Sequence, residues 1–102
     1  MHTANPALKE AVLPILRKEV LARRFDAESY AGLYDRYCFQ VGLPDRYGMH
    51  VSSDAKGQLV IGPLEDRARV DEFRKEIGLG PLAKYLERRR EENGGKAIRI
   101  LD

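Results

Sequence analysis

The apolar positions of this chain change period along its length, and each change predicts an element. Leu8, Val12, Ile15, Leu16 and Val20 recur at helical spacing, with Lys9, Glu10, Arg17 and Lys18 opposite. Asn5-Pro6 supplies a helix start, because Asn can cap and Pro at the first helical position loses no needed bond. Pro14 removes a donor inside that helix, so a kink or two short helices are expected. Asp26 caps a second helix from Ala27 to about Val41, with Glu28 in its first turn and Gly42, Leu43 and Pro44 as its stop. Its inner face is a row of tyrosines, Tyr30, Tyr34 and Tyr37, widened by Leu33, Cys38 and Val41.

The period then drops to two. Tyr47, Met49 and Val51 alternate with Gly48, His50 and Ser52, SSDAKG reads as a turn, and GQLVIG as the returning strand of a hairpin. Asp66 is placed to cap a third helix with Val70, Phe73 and Ile77 as its stripe. Gly78-Leu79 stops it, and Gly80-Pro81 starts a fourth with Leu82, Tyr85 and Leu86 inward. Asn93-Gly94-Gly95 breaks that helix, and KAIRILD alternates as a last strand, pairing either with the hairpin or across a dimer axis. The order α-α-β-β-α-α-β predicts an α+β fold, with a small, mostly antiparallel sheet packed against helices. Residues 1–102 read as one domain, with residues 1–4 and 91–96 expected to be mobile.

Composition narrows the class. The 102 residues are 43% hydrophobic and 33% charged, the balance of a globular domain rather than a disordered segment. A net charge of +2, from 18 basic and 16 acidic residues, does not by itself call for nucleic acid. The single cysteine, Cys38, cannot form an internal disulfide and suits a reducing cytoplasm. No apolar run approaches the roughly 20 residues of a membrane span, and the N-terminus lacks the pattern of a signal peptide. A core this small gains from self-association.

The chemistry-bearing residues are few. His50, with its near-neutral titration, and the adjacent carboxylates Glu65 and Asp66 are the catalytic candidates for an acid-base site at the hairpin-helix junction. Against this, Asp66 suits an N-cap, and His50 lies on the hairpin face opposite the apolar set. No ligand spacing for a metal and no phosphate-binding loop is present, so no metal or cofactor is expected. The tyrosine row reads as core packing, and Cys38 on the same face as a small buried hydrophobe. Arg17, Lys18, Arg23, Arg24, Arg88 and Lys96 are the candidates for weak nucleic-acid contact, if they share a face.

AESYAGLYDRYCFQVGLPDRYGMHV followed by KGQLVIGPLEDRARVDEFRKEIGLGPLAKYL resembles the C-terminal half of a bacterial family of unknown function. The pattern is Asp-Arg, Arg-Tyr-Gly-Thr-Gln, Pro-Ile-Glu-Asp, Val-Asp-x-x-Arg, Gly-Leu and Leu-x-x-Tyr. It is met here by Asp35-Arg36, Arg46-Tyr47-Gly48, Pro63 with Glu65-Asp66, Val70-Asp71 with Arg74, Gly78-Leu79, and Leu82 with Tyr85. The resemblance spans residues 27 to 86 and carries no activity. His50 stands where the pattern has Gln, and an amide does not replace a catalytic base but does replace a hydrogen-bonding group. The resemblance also implies that the N-terminal half of longer members is missing. Its shared polar residues Asp35, Arg36, Tyr47, Glu65, Asp66 and Arg74 form the binding-residue set. They serve either as internal struts, through an Arg36–Glu65 or Arg74–Asp35 pair, or as the lining of a cleft for a peptide or small anion. The favoured reading is a non-enzymatic module that binds a protein partner or itself.

Overall fold

Why Asp26 starts a helix is visible in its side chain. Its carboxylate accepts hydrogen bonds from the Ser29 N–H at 2.9 Å and the Ser29 hydroxyl at 2.8 Å, satisfying a donor the helix leaves free. In the computed structural model, which describes residues 6–101, that helix is α2 (Ala27–Gln40), and it packs on α1 (Pro6–Leu21). Asn5 and the four residues before it lie outside the described residues. A Lys9 Nζ to Gln40 Oε1 bond of 3.0 Å ties the start of α1 to the end of α2, so the two helices form an antiparallel hairpin. Gly42, at φ +78°, and a Leu43 N–H to Cys38 C=O bond of 2.7 Å end α2 as the sequence predicts.

Two expectations for α1 are corrected. α1 is one helix through Pro14 rather than two short ones, with Pro14 on its exposed side, where water best replaces the lost bond. The buried face matches the predicted stripe only in part: Val20 is buried and Val12 and Leu16 are partly covered, but Leu8 and Ile15 are not. Lys9, Leu13 and Val20 are buried with Leu16 partly covered, whereas Leu8 and Ile15 are 52% and 61% exposed. Apolar residues occur on too many sides of α1 for its pattern to choose one. The contact with α2 chooses, and the Lys9 stem is covered while its ammonium reaches Gln40.

The strands are shorter than their alternation suggests. β1 (Ser52–Ser53) pairs antiparallel with β2 (Leu59–Ile61) around an Asp54 turn, whose carboxylate accepts from Lys56 N–H and Gln58 N–H, each at 2.9 Å. Residues 47–51 are not a strand. β3 (Ile98–Ile100) pairs with β2 within the chain and in parallel, so the sheet is mixed, in the order β1-β2-β3. The parallel ladder follows from the connection: α3 (Val70–Glu76) and α4 (Leu82–Glu92) carry the chain back to the same end of the sheet.

Asp66 caps a turn rather than a helix. Its carboxylate accepts from Ala68 N–H at 3.1 Å, its carbonyl from Arg69 N–H at 3.1 Å, and α3 begins only at Val70. The start of α4 is capped from another element: Asp71 of α3 accepts the Leu82 N–H at 2.8 Å. The core has two parts. Leu13, Val20, Tyr30, Ala31, Tyr47, Phe73 and Ile77 fill one, and Ile61, Val70, Leu82 and Tyr85 the other, with Met49 packed against both. No helix among the described residues is long and apolar enough to cross a membrane.

Candidate functional site

The segment Arg46–His50 departs from strand geometry because a side chain takes its backbone donors. Asp35, in register with Ala31 and Cys38 on the inner face of α2, is fully buried. Its carboxylate accepts the N–H of Arg46 at 2.8 Å, of Tyr47 at 3.2 Å from both oxygens, and of Met49 at 2.8 Å. The carbonyls of the same loop are taken from the other side. Arg74 donates to the Tyr47 C=O and to the Gly80 C=O, each at 2.7 Å, and Tyr85 donates its hydroxyl to the Met49 C=O at 3.0 Å. A buried backbone segment outside regular structure needs such partners.

Burial pushes the Asp35 carboxyl up, while the three N–H groups and nearby Arg74 pull it back toward the charged form. Burial likewise pushes Arg74 down, opposed by Asp71, Tyr85, Glu28 and Asp35. The tyrosine rings pack against the same loop: Tyr30 and Tyr34 lie 6.1 and 5.4 Å from the Tyr47 ring, edge-on. Gly48 completes the turn at φ +70°, where an added Cβ would sit 2.8 Å from Leu82 Cδ1. Gly48→Ala is therefore expected to cost about 2 kcal/mol, combining a left-handed backbone with overpacking. Thermal unfolding checks this, and an unchanged melting temperature would show that the loop is not held as described.

Beside the loop, Arg46 lies 4.0 Å over the Phe73 ring and pairs with Glu65 at 3.1 Å. Glu65 thus takes Arg46 as its partner, not Arg36. Arg74 reaches Asp35 through the loop it holds rather than by a direct ion pair. Asp45 is buried, with its backbone N–H on the Pro63 C=O and its C=O on the Glu65 N–H. Burial first, and then the Asp35 charge, push its carboxyl up to about 7. Cys38 is buried next to these acids, and burial and their charges push its thiol up to about 12.

His50 lies outside this set. Its ring meets Phe39 edge-on at 4.7 Å, and it lines an open cleft of about 490 Å³ with Glu28, Arg36, Met49, Val51 and Arg89. Glu65 and Asp66 do not line that cleft. Burial, then Arg36, push the imidazole below its ordinary value. Of the predicted residues, the fold gathers Asp35, Tyr47 and Arg74 into the loop's internal support. It leaves Glu65 and Asp66 at the surface beside it and sends Arg36 with His50 to the separate cleft. Glu28, Phe39, Asp45 and Arg89 were missed as site residues. The Asp45-Arg46 step directly after a helix stop was a signal for Asp45, and nothing local marked Glu28 or Arg89.

Half of the candidate basic residues are held in ion pairs. Arg17 pairs with Glu76 at 3.7 Å, Arg24 with Glu19 at 2.8 Å and Arg88 with Glu28 at 2.9 Å. Among the described residues no group of three or more His, Cys, Asp or Glu side chains is placed to hold a metal.

Among the described residues, four helices and a small mixed sheet, joined through a loop pinned to a buried carboxylate, define a small α+β domain. The chain belongs to DUF6624, a family of unknown function whose model matches residues 1–98, well beyond the span of the resemblance read from its motifs. No curated protein and no solved structure matches it.

Proposed function

We propose that this chain acts as a protein-interaction module, docking a second copy or another protein on the end of the α1–α2 hairpin. One observation carries this reading. Leu8, Phe39, Val41 and Leu43 are 52%, 62%, 41% and 53% exposed, and the Lys9–Gln40 bond brings the start of α1 to the end of α2 that bears the other three. Large apolar side chains grouped at one end of a small domain favour an interface over a solvated surface. Phe39 is the natural anchor, since aromatic side chains carry much of the energy of protein interfaces. The pinned loop supports the same reading: it holds the neighbouring His50 segment rigid, which lowers the ordering cost of binding.

Sedimentation over a wide concentration range tests self-association, and cross-linked capture from source cells tests other partners. Phe39→Asp is expected to weaken the association about tenfold or more, with the fold unchanged by circular dichroism. A chain that stays monomeric and retains nothing that the Phe39→Asp variant does not also retain sinks the reading.

A further inference from the structure

The cleft between α2, residues 49–51 and α4 has an unusual balance of charge. Most arginines of this chain are matched to a carboxylate or, like Arg74, to backbone carbonyls. Arg36, at the cleft wall, is exposed and has no hydrogen-bond or ion-pair partner among the described residues. Arg89 enters from α4 with its Nε buried and lacking an acceptor, and its ion pair, to Glu92, is 3.7 Å long. Glu28, the carboxylate of the cleft, is already bound by Arg88 at 2.9 Å. His50 faces this group from the end of the pinned loop. Leu33, Met49 and Val51 supply an apolar wall beside the cations.

We infer that this cleft binds a small organic oxyanion, a carboxylate or phosphate monoester, whose charged group is held by Arg36, Arg89 and His50 while its apolar part lies on Leu33, Met49 and Val51. A buried guanidinium N–H without an acceptor is costly, and an arriving oxyanion lets the Arg89 head turn to a partner. Guanidinium groups also suit both oxyanions through paired donors. The inference goes beyond docking at the hairpin end and does not depend on it, because it concerns a small ligand on the isolated chain.

Linkage makes it testable. The charged groups lining the cleft with His50 are Arg36 and Glu28 from α2 and Arg89 from α4, with Glu28 already paired to Arg88. Burial first, and then the Arg36 charge, disfavour the imidazolium, and a bound anion opposes both by supplying a negative partner. The His50 ring resonances are followed by NMR through a pH titration with phenyl phosphate, phenylacetate and inorganic phosphate, against chloride at matched ionic strength. The two phenyl compounds are expected to raise the His50 titration midpoint and to bind more tightly as pH falls through it. Inorganic phosphate, lacking the apolar part, is expected to bind more weakly. Arg36→Gln is expected to weaken binding about tenfold, whereas Arg90→Gln, an exposed arginine outside the cleft, leaves it unchanged. A midpoint that moves no further than in chloride, or moves equally in Arg36→Gln, overturns the inference. Arg36 is exposed and makes no hydrogen bond or ion pair among the described residues, and circular dichroism of Arg36→Gln separates lost binding from lost folding.

Discussion

Asp35→Ala is expected to lower stability by about 3–5 kcal/mol, the loss seen when a buried charge network loses one member. The substitution strands the backbone N–H groups of Arg46, Tyr47 and Met49, and removes the negative charge that Arg74 faces from across the loop. A domain of this size holds only about 5–15 kcal/mol in total, so much of the population at ordinary temperature would be unfolded. Asp35→Asn keeps one acceptor oxygen and is expected to fall between the variant and the parent. Glu65→Gln, which removes the partly exposed pair with Arg46, is the control and is expected to cost about 1 kcal/mol or less. Urea unfolding of the three variants decides the matter. Equal losses for Asp35→Ala and Glu65→Gln would mean that the carboxylate is not the loop's anchor.

The second large effect is on pH dependence and rests on Asp45. Its carboxyl, ordinarily at 3.8, is pushed up to about 7 by burial and by Asp35. The native state therefore binds the proton more tightly than the unfolded chain. The stability this contributes is complete below about pH 4 and is lost as pH rises to about 7. At about 1.4 kcal/mol per pH unit, the loss is roughly 4 kcal/mol over that window. Asp45→Asn keeps a carbonyl to accept the Gly62 N–H but carries no charge. It is expected to be more stable than the parent above pH 7 and to show a flatter profile from pH 4 to 7. The slope that remains includes Asp35, whose carboxyl burial also raises, and His50, whose lowered imidazole contributes with the opposite sign. Urea unfolding at intervals across that window is the measurement. A variant with the parent's slope would show that Asp45 does not hold the proton.

Both effects come from acids whose roles were only partly legible in the sequence. Asp35 stood in register with Ala31 and Cys38, and a carboxylate on the buried stripe of a helix always asks for a partner. What the register could not supply was the partner, a loop about eleven residues further on that donates three backbone bonds. The same loop defeated the strand assignment for residues 47–51. Alternation of Tyr47, Met49 and Val51 suits a strand, yet the N–H groups needed for a ladder were already claimed by Asp35. Arg46 and Arg36 show the limit for charge pairing. Each lies near an acid in chain order, but only Arg46 is carried to Glu65, while Arg36 is turned into the His50 cleft.

The sequence by itself determined the α+β class, the order of seven elements, the Asp26 cap, the Gly42 stop and the stripe of Val70, Phe73 and Ile77. These depend on sterics and hydrogen bonds between residues a few positions apart, which the chain states directly. Only the tertiary structure decided which face of α1 is buried, that β3 runs parallel to β2, and that Asp35 and Arg74 are internal supports while His50 and Arg36 share an open cleft. Those outcomes depend on which charges lose water and which distant donors reach them. Desolvation is a property of the packed chain and has no local signature.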